Sequence, residues 1–170
     1  MTLRPLEQRD APLMLEWMHD ADVVRYLSAA FASKTEEDCR AFIAASQCDD
    51  QNWNLAIADD SDTYMGTVSL KHIDRQRGEA EFAISIRSCA MGRGLSRFAM
   101  AGIIEKGFEE LGLKRIYWCV SPENKRAVRF YDKGGYPRIS PRELNVGQWY
   151  TPEQISAYLW YCAEQKDAEN

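Results

Sequence analysis

Histidine is scarce in this chain of 170 residues: only His19 and His72 occur, and neither stands at a spacing that joins it to a Ser/Asp pair or a metal-binding set. A serine–histidine–aspartate hydrolase and a histidine-based metal centre are therefore not expected, and no metal is called for. Both histidines read as plain surface or loop residues. The five cysteines (39, 48, 89, 119, 162) form no Cys-x-x-Cys pair and are odd in number. That argues against a zinc ribbon or a disulfide framework and fits free thiols in a reducing, cytoplasmic setting. No apolar run approaches the ~18 residues of a membrane span, and the opening Met-Thr-Leu-Arg-Pro has no apolar signal core. Repeats, low-complexity tracts and Gly/Ser linkers are missing too, so one domain over residues 1–170 is expected. A formal charge of −5 disfavours a nucleic-acid partner, and no membrane partner is expected. Two familiar phosphate loops are also missing. After Gly92-x-Gly94 the next position of the dinucleotide motif is Arg97, and no Gly-Lys-Ser/Thr sequence occurs.

What is present centres on residues 87–100. Upstream, Glu79 to Ile86 alternates like a strand, with Glu79, Glu81, Ala83 and Ser85 on one face and Phe82, Ile84 and Ile86 on the other. Downstream, Leu95, Phe98, Ala99, Ile103, Ile104, Phe108 and Leu111 recur at helical spacing. A strand thus enters a turn with two glycines and a helix begins. The first N–H groups of such a helix lack partners and lie at the positive end of its dipole. A pyrophosphate fits there, with Arg93 and Arg97 adding charge.

The turn, together with Asn124-Lys-Arg-Ala127-Val-Arg-Phe130-Tyr131-Asp-Lys-Gly-Gly135-Tyr136, resembles the GNAT (Gcn5-related) N-acetyltransferase family. In that family the turn reads Gln/Arg-x-x-Gly-x-Gly/Ala. Here Met91, Gly94 and Ser96 occupy those positions; the middle glycine matches and the other two depart. The likeness runs from about residue 3 to about 139 and is nearest to the subgroup of ribosomal-protein and polyamine acetyltransferases. It implies a mixed α/β (α+β) fold, a central and mostly antiparallel sheet flanked by helices. It also implies acetyl transfer from acetyl-CoA to a primary amine of a small molecule, by direct attack in a ternary complex. Cofactor contacts are implied at Ile84, Ile86, Met91, Gly92, Arg93, Gly94, Leu95, Ser96, Arg97, Asn124, Arg126 and Tyr131. A peptide N-terminal acetyltransferase and a non-catalytic acyl-CoA-binding module are the alternatives, and a homodimer is possible.

The reaction asks for a proton acceptor and a proton donor. Tyr131 is the implied acid toward the CoA thiolate; otherwise it is a core tyrosine. Phe130, its neighbour, is expected to be the wholly buried ring of the two. Glu79 and Glu81 are candidate bases, with Glu81 preferred as the deeper; otherwise they serve an exposed sheet face or ion pairs. Cys119 is either a nucleophile or buried packing. Asn124 contacts CoA or caps its helix, a role Ser121 and Pro122 could also fill. The resemblance implies an acceptor pocket at the first two helices and their loop, where Trp17, Asp20, Asp22, Tyr26 and Phe31 stand; otherwise these form an ordinary amphipathic helix pair. Trp149, Tyr150, Tyr158 and Trp160 of the tail line that pocket or a dimer contact.

The remaining elements follow from caps and periodicity. Strands are expected at 2–6, 52–58, 64–73, 115–120 and 136–139. A helix starts at Asp10 with Leu13, Leu15, Trp17 and Met18 on its apolar side. Another starts at Thr35 and buries Phe42, Ile43 and Ala45. Residues 22–27 form a short helix or turn and 28–33 a loop. The long helix runs from 95 to about 112, and the next over 124–133. In the tail a loop spans 141–150. A short turn and a final strand near 157–162 then close the sheet as a late hairpin, as the resemblance implies.

Overall fold

The computed structural model describes residues 1–27 and 30–166. Alternating apolar segments build a six-stranded sheet in chain order: β1 (Thr2–Pro5), β2 (Trp53–Ala58), β3 (Tyr64–Asp74), β4 (Glu79–Ile86), β5 (Arg115–Val120) and β6 (Leu159–Glu164). Every neighbour pair is antiparallel except β4–β5, which is parallel. This is the mixed α/β, mostly antiparallel architecture that was expected. The helices are α1 (Ala11–Met18), α2 (Ala21–Val24), α3 (Glu36–Ser46), α4 (Leu95–Glu109), α5 (Lys125–Lys133) and α6 (Pro152–Ala157). Among the described residues no helix is long and apolar enough to cross a membrane. Residues 28 and 29 of the expected 28–33 loop lie outside the described residues.

The two-residue period of the strands sorts the core. Leu55, Ile57, Val68, Leu70, Phe82, Ile116 and Trp118 point to the face covered by α4 and α5, where they meet Leu95, Ala99, Ile103 and Tyr131. Their sequence neighbours point the other way. Ala56 joins Met14, Trp17, Cys39 and Ile43 beneath α1 and α3, and Tyr117 joins Leu144, Val146 and Trp160 beneath the 139–158 segment.

Several expectations are corrected. On α3 the inward side chains are Cys39 and Ile43, four apart and so stacked on one face, while Phe42 and Ala45 face solvent. Helix α4 stops at Glu109, because Gly112 turns the chain at φ 65° and Leu113 N–H bonds back to the Gly107 carbonyl (3.1 Å). Residues 136–139 form no strand. Arg138 makes an isolated bridge to Tyr161, and Pro137 has no N–H to extend a ladder. The late hairpin is thus reduced to this bridge, flanked by bonds from Ile139 N–H to the Trp160 carbonyl (3.0 Å) and from Cys162 N–H to the Pro137 carbonyl (3.1 Å), while β6 closes the sheet against β5 as expected. The expected turn after 151 is a helix, α6. Thr151 accepts from Gln154 N–H (3.2 Å) while its own N–H donates to Gln154 Oε1 (2.9 Å), with Pro152 at the first position. The cap prevails over the aromatic run, which becomes strand only from Leu159.

Candidate active site

The turn after β4 is held open by two glycines in the left-handed region, Gly92 at φ 77° and Gly94 at φ 79°. A methyl group added to either would meet nothing of the chain within 4 Å. Phe98 is the first residue whose N–H reaches an i−4 carbonyl, that of Gly94 (3.1 Å), and no side chain caps α4. The N–H groups of Leu95, Ser96 and Arg97 therefore have no intrahelical acceptor and lie at the positive end of a 15-residue helix. Leu95 is buried, so its side chain serves the core and only its N–H serves the turn. Met91 and Arg126, far apart in sequence, meet here, with Sδ 3.3 Å from Nη1. Arg93 lies 4.0 Å from Asp59, and Arg97 is exposed. Arg87 is committed elsewhere, making a two-pronged pair with Glu16 (3.0 Å each). Asn124 is the N-cap of α5, its Oδ1 accepting from Ala127 N–H (3.2 Å), so the cap falls to it rather than to Ser121 or Pro122.

Between this turn and the far end of the sheet, β4 and β5 part. Their ladder pairs Glu79 with Arg115, Ala80 with Ile116 and Glu81 with Tyr117, and ends there. Beyond it β4 stays paired only with β3, and β5 only with β6. The edge of β4 from residue 82 to 86, including Ile84 and Ile86, faces an opening that leads from the glycine turn to Glu81.

Glu81 stands at the apex of that opening, 3 % exposed. The Tyr150 hydroxyl donates to its Oε1. Lys71 Nζ approaches Oε1 at 3.4 Å, and His72 Nδ1 approaches Oε2 at the same distance. The His72 contact is electrostatic rather than a formed hydrogen bond, and both atoms are buried without a hydrogen-bond partner. Burial alone would raise the Glu81 pKa. The His72 ring, the Lys71 charge and the Tyr150 hydroxyl outweigh it and hold the carboxyl below its ordinary value, so it is ionised at neutral pH. Glu79 differs: it is paired with Arg77 (3.2 Å) and Arg115 (3.4 Å), the ion-pair role.

Tyr131 reverses its expected relation to Phe130, since Tyr131 is buried and Phe130 only half-buried. Its ring packs among Trp118 (5.4 Å), Tyr161 (5.3 Å) and Phe130 (5.6 Å). Burial, then the nearby Cys119 thiol and the hydroxyls of Tyr161 and Tyr136, push its pKa upward, so the phenol keeps its proton throughout the working range. Burial likewise pushes the Cys119 thiol up to about 12, so it remains a neutral thiol and not a nucleophile.

Of the residues expected at an acceptor pocket by the first helices, Trp17, Phe31 and Asp20 are engaged within the fold. Trp17 is buried, with its Nε1 donating to the Tyr64 hydroxyl (2.9 Å) and its ring edge-on to Phe31 (5.2 Å). Asp20 caps α2. A cleft of about 360 Å³ lies at the β3–β4 hairpin end, under residues 145–149, with His72, Asp74, Glu79, Tyr117 and Trp149 among its walls. The His72 ring stacks on the Trp149 indole, centroids 3.8 Å apart and planes within 1°. His72 is thus no bland loop residue. Hairpin pairing was the signal for it: Lys71 faces Glu81 across the β3–β4 ladder, and an irregularity follows at once. Tyr150 joins Glu81 from 69 residues away, and no local pattern marks it.

Comparisons with known proteins agree with this fold. The family described as Acetyltransferase (GNAT) domain matches residues 1–137. Spermidine N(1)-acetyltransferase of Escherichia coli strain K12 is 30 % identical over 139 residues, covering 79 % of this chain and 71 % of that protein. Uncharacterized N-acetyltransferase p20 of Bacillus licheniformis is 26 % identical over 132 residues, covering 76 % and 74 %. The crystal structure of spermidine N-acetyltransferase from Vibrio cholerae in complex with CoA and spermine superposes with a TM-score of 0.78 at 20 % identity, over 96 % of this chain and 95 % of that one. The two spermidine acetyltransferases among these stand on the polyamine side of the expected subgroup, and none of the three carries a ribosomal-protein name.

Proposed function

The chain belongs to the GNAT acetyltransferase family, and from that premise we propose that it moves acetyl from acetyl-CoA to a primary amine of a small, cationic or hydroxylated molecule. The observation that carries this reading is the parting of β4 and β5 beside an ionised, buried Glu81, with the bare N-terminus of α4 at the outer end of the same opening. The two ends suit the two ends of the donor. The N–H groups of residues 92–97 receive the pyrophosphate, and Arg93, Arg97 and Arg126 add charge. The free edge of β4 near Ile84 and Ile86 receives the amide-bearing arm, as a strand edge receives another strand. The thioester then lies at the apex, between Glu81 and Tyr131.

An ammonium ion cannot attack a carbonyl, so the acceptor must first lose a proton. The negative charge of Glu81 draws that proton. Attack forms the C–N bond and breaks the C–S bond, and the Tyr131 hydroxyl, still protonated because it is buried, donates to the departing thiolate. The activity of the spermidine acetyltransferases it resembles favours a polyamine, with Asp74 as the cleft's acid not paired to an arginine among the described residues. The carboxamides of Gln51, Gln76, Asn145 and Gln148 in the same cleft favour an aminosugar as second reading.

The test is thiol release from acetyl-CoA with spermidine, glucosamine and a short peptide with a free N-terminus. Release driven by spermidine or glucosamine supports the proposal. Release with the peptide alone gives the chain a protein acceptor. CoA binding with no release by any amine makes it a binding module.

A further inference from the structure

Glu81 is charged but secluded. Three side chains reach it among the described residues, Lys71, His72 and Tyr150, and of these only His72 also lines the cleft. The residue is held at its backbone, at one face of the ring and at one ring nitrogen. Its backbone N–H donates to Asn52 Oδ1 (3.1 Å), its φ is 52°, its ring lies flat on Trp149, and its Nδ1 is buried facing Glu81 Oε2 at 3.4 Å. The side chain retains 21 % exposure, and with Nδ1 buried that exposure belongs to the rest of the ring. A carboxylate opposite Nδ1 favours the tautomer that carries its proton there and leaves Nε2 as an acceptor.

We propose that the acceptor amine lodges in the cleft at the β3–β4 hairpin end and gives its proton to His72 Nε2, with Glu81 acting through His72 by fixing its tautomer and stabilising the imidazolium. This rests on the acetyltransferase reading above. The ammonium passes one proton to neutral His72, which releases it to solvent across the open cleft. The freed lone pair attacks the thioester carbonyl, the C–N bond forms and the C–S bond breaks. The second proton of the nitrogen goes to His72, and the thiolate takes the proton of the Tyr131 hydroxyl. Exchange with solvent restores both residues, so one proton is released per turnover. The charged groups around the ring are Glu81 and Glu79 from β4, Lys71 and Asp74 from β3, and Arg75 from the hairpin turn; the Tyr150 hydroxyl is neutral.

His72→Asn suits the test, because asparagine tolerates the positive φ. With spermidine and with glucosamine, its turnover per folded molecule should fall about 10²-fold, the worth of a positioned general base. CoA affinity should hold, the acid limb of the pH–rate profile should flatten, and added imidazole should restore part of the rate. A merely structural histidine would show no imidazole rescue. In parallel, ¹⁵N spectra of the wild-type ring should show the neutral form with its proton on Nδ1, a preference lost in Glu81→Gln. Turnover by His72→Asn at the wild-type rate, or a wild-type ring protonated on Nε2, overturns the proposal. The spectra need no acceptor, so they decide the role of His72 even where no amine releases thiol, a result that would instead sink the acetyltransferase reading.

Discussion

The two ends of the opening between β4 and β5 are built in opposite ways. The outer end is mostly local: an exposed turn, 91–94, and the first three residues of α4 supply the glycines, Arg93, Arg97 and the free N–H groups in sequence order. Its donors are backbone, so side-chain identity matters little. The inner end is assembled from β3, β4, β5 and the segment after residue 144. Glu81 there is buried, ionised and surrounded by side chains drawn from 9 to 69 residues away. An anion site can be made from bare helix geometry. A proton site has to be dry enough to perturb a carboxyl and crowded enough to hold it charged, and that takes several elements.

If the division is right, changes at the inner end should strike turnover and changes at the outer end should strike CoA affinity. The largest effect is expected from Glu81→Gln, which keeps the shape and removes the charge. Turnover should fall by ~10²-fold or more, read as thiol release, and a wild-type rate would return Glu81 to a structural role. Tyr131→Phe should cost less, ~10- to 10²-fold, because a thiolate of ordinary pKa about 8.5 also takes a proton from water. Since burial raises the phenol's pKa, this substitution should leave the alkaline limb of the pH profile in place. If Tyr131→Phe lowers only the melting temperature, Tyr131 is a core residue.

Gly94→Ala and Gly112→Ala make a matched pair. Both glycines have positive φ, at 79° and 65°, and at both an added methyl meets nothing of the chain within 4 Å. Each substitution should cost ~1–2 kcal/mol of stability. Only Gly94→Ala should also weaken CoA binding in calorimetry, by about tenfold, the worth of one charge-assisted hydrogen bond. The smallest effect concerns acid stability. The folded-state pKa of Glu81 lies below its ordinary value, so its contribution is present above about pH 4.3 and is lost as pH falls through the folded value. Urea midpoints measured down through pH 4 should fall less steeply in Glu81→Gln than in the wild type.

The same contrast explains what was legible in the sequence. Strand alternation, two glycines and a helical period disclose the turn and the start of α4, because each signal lies within a few residues of the next; Arg126 joins them from 35 residues away. Glu81 was legible for its place on β4, but not for its company. Tyr150 reaches it across 69 residues, and no spacing rule spans that distance. His72 was missed because a lone histidine near a strand end carries no chemistry by itself; pairing the β3–β4 hairpin would have set it beside Glu81. In the tail the aromatic run did mark the last strand, β6, to within two residues, whereas the segment read as a turn before it is a helix begun by the Thr-Pro-x-Gln cap. The order of burial of Phe130 and Tyr131 depended on rings of β5 and β6, which the helix's own sequence does not contain.

The most direct test sets binding beside turnover for one variant at each end. CoA titrated by calorimetry into Glu81→Gln should bind with wild-type affinity while turnover at saturating acetyl-CoA collapses. Gly94→Ala should bind CoA more weakly yet approach the wild-type rate at saturation. If Glu81→Gln instead loses CoA affinity in step with its turnover, or Gly94→Ala keeps the wild-type affinity, the two ends do not divide the work and the account fails.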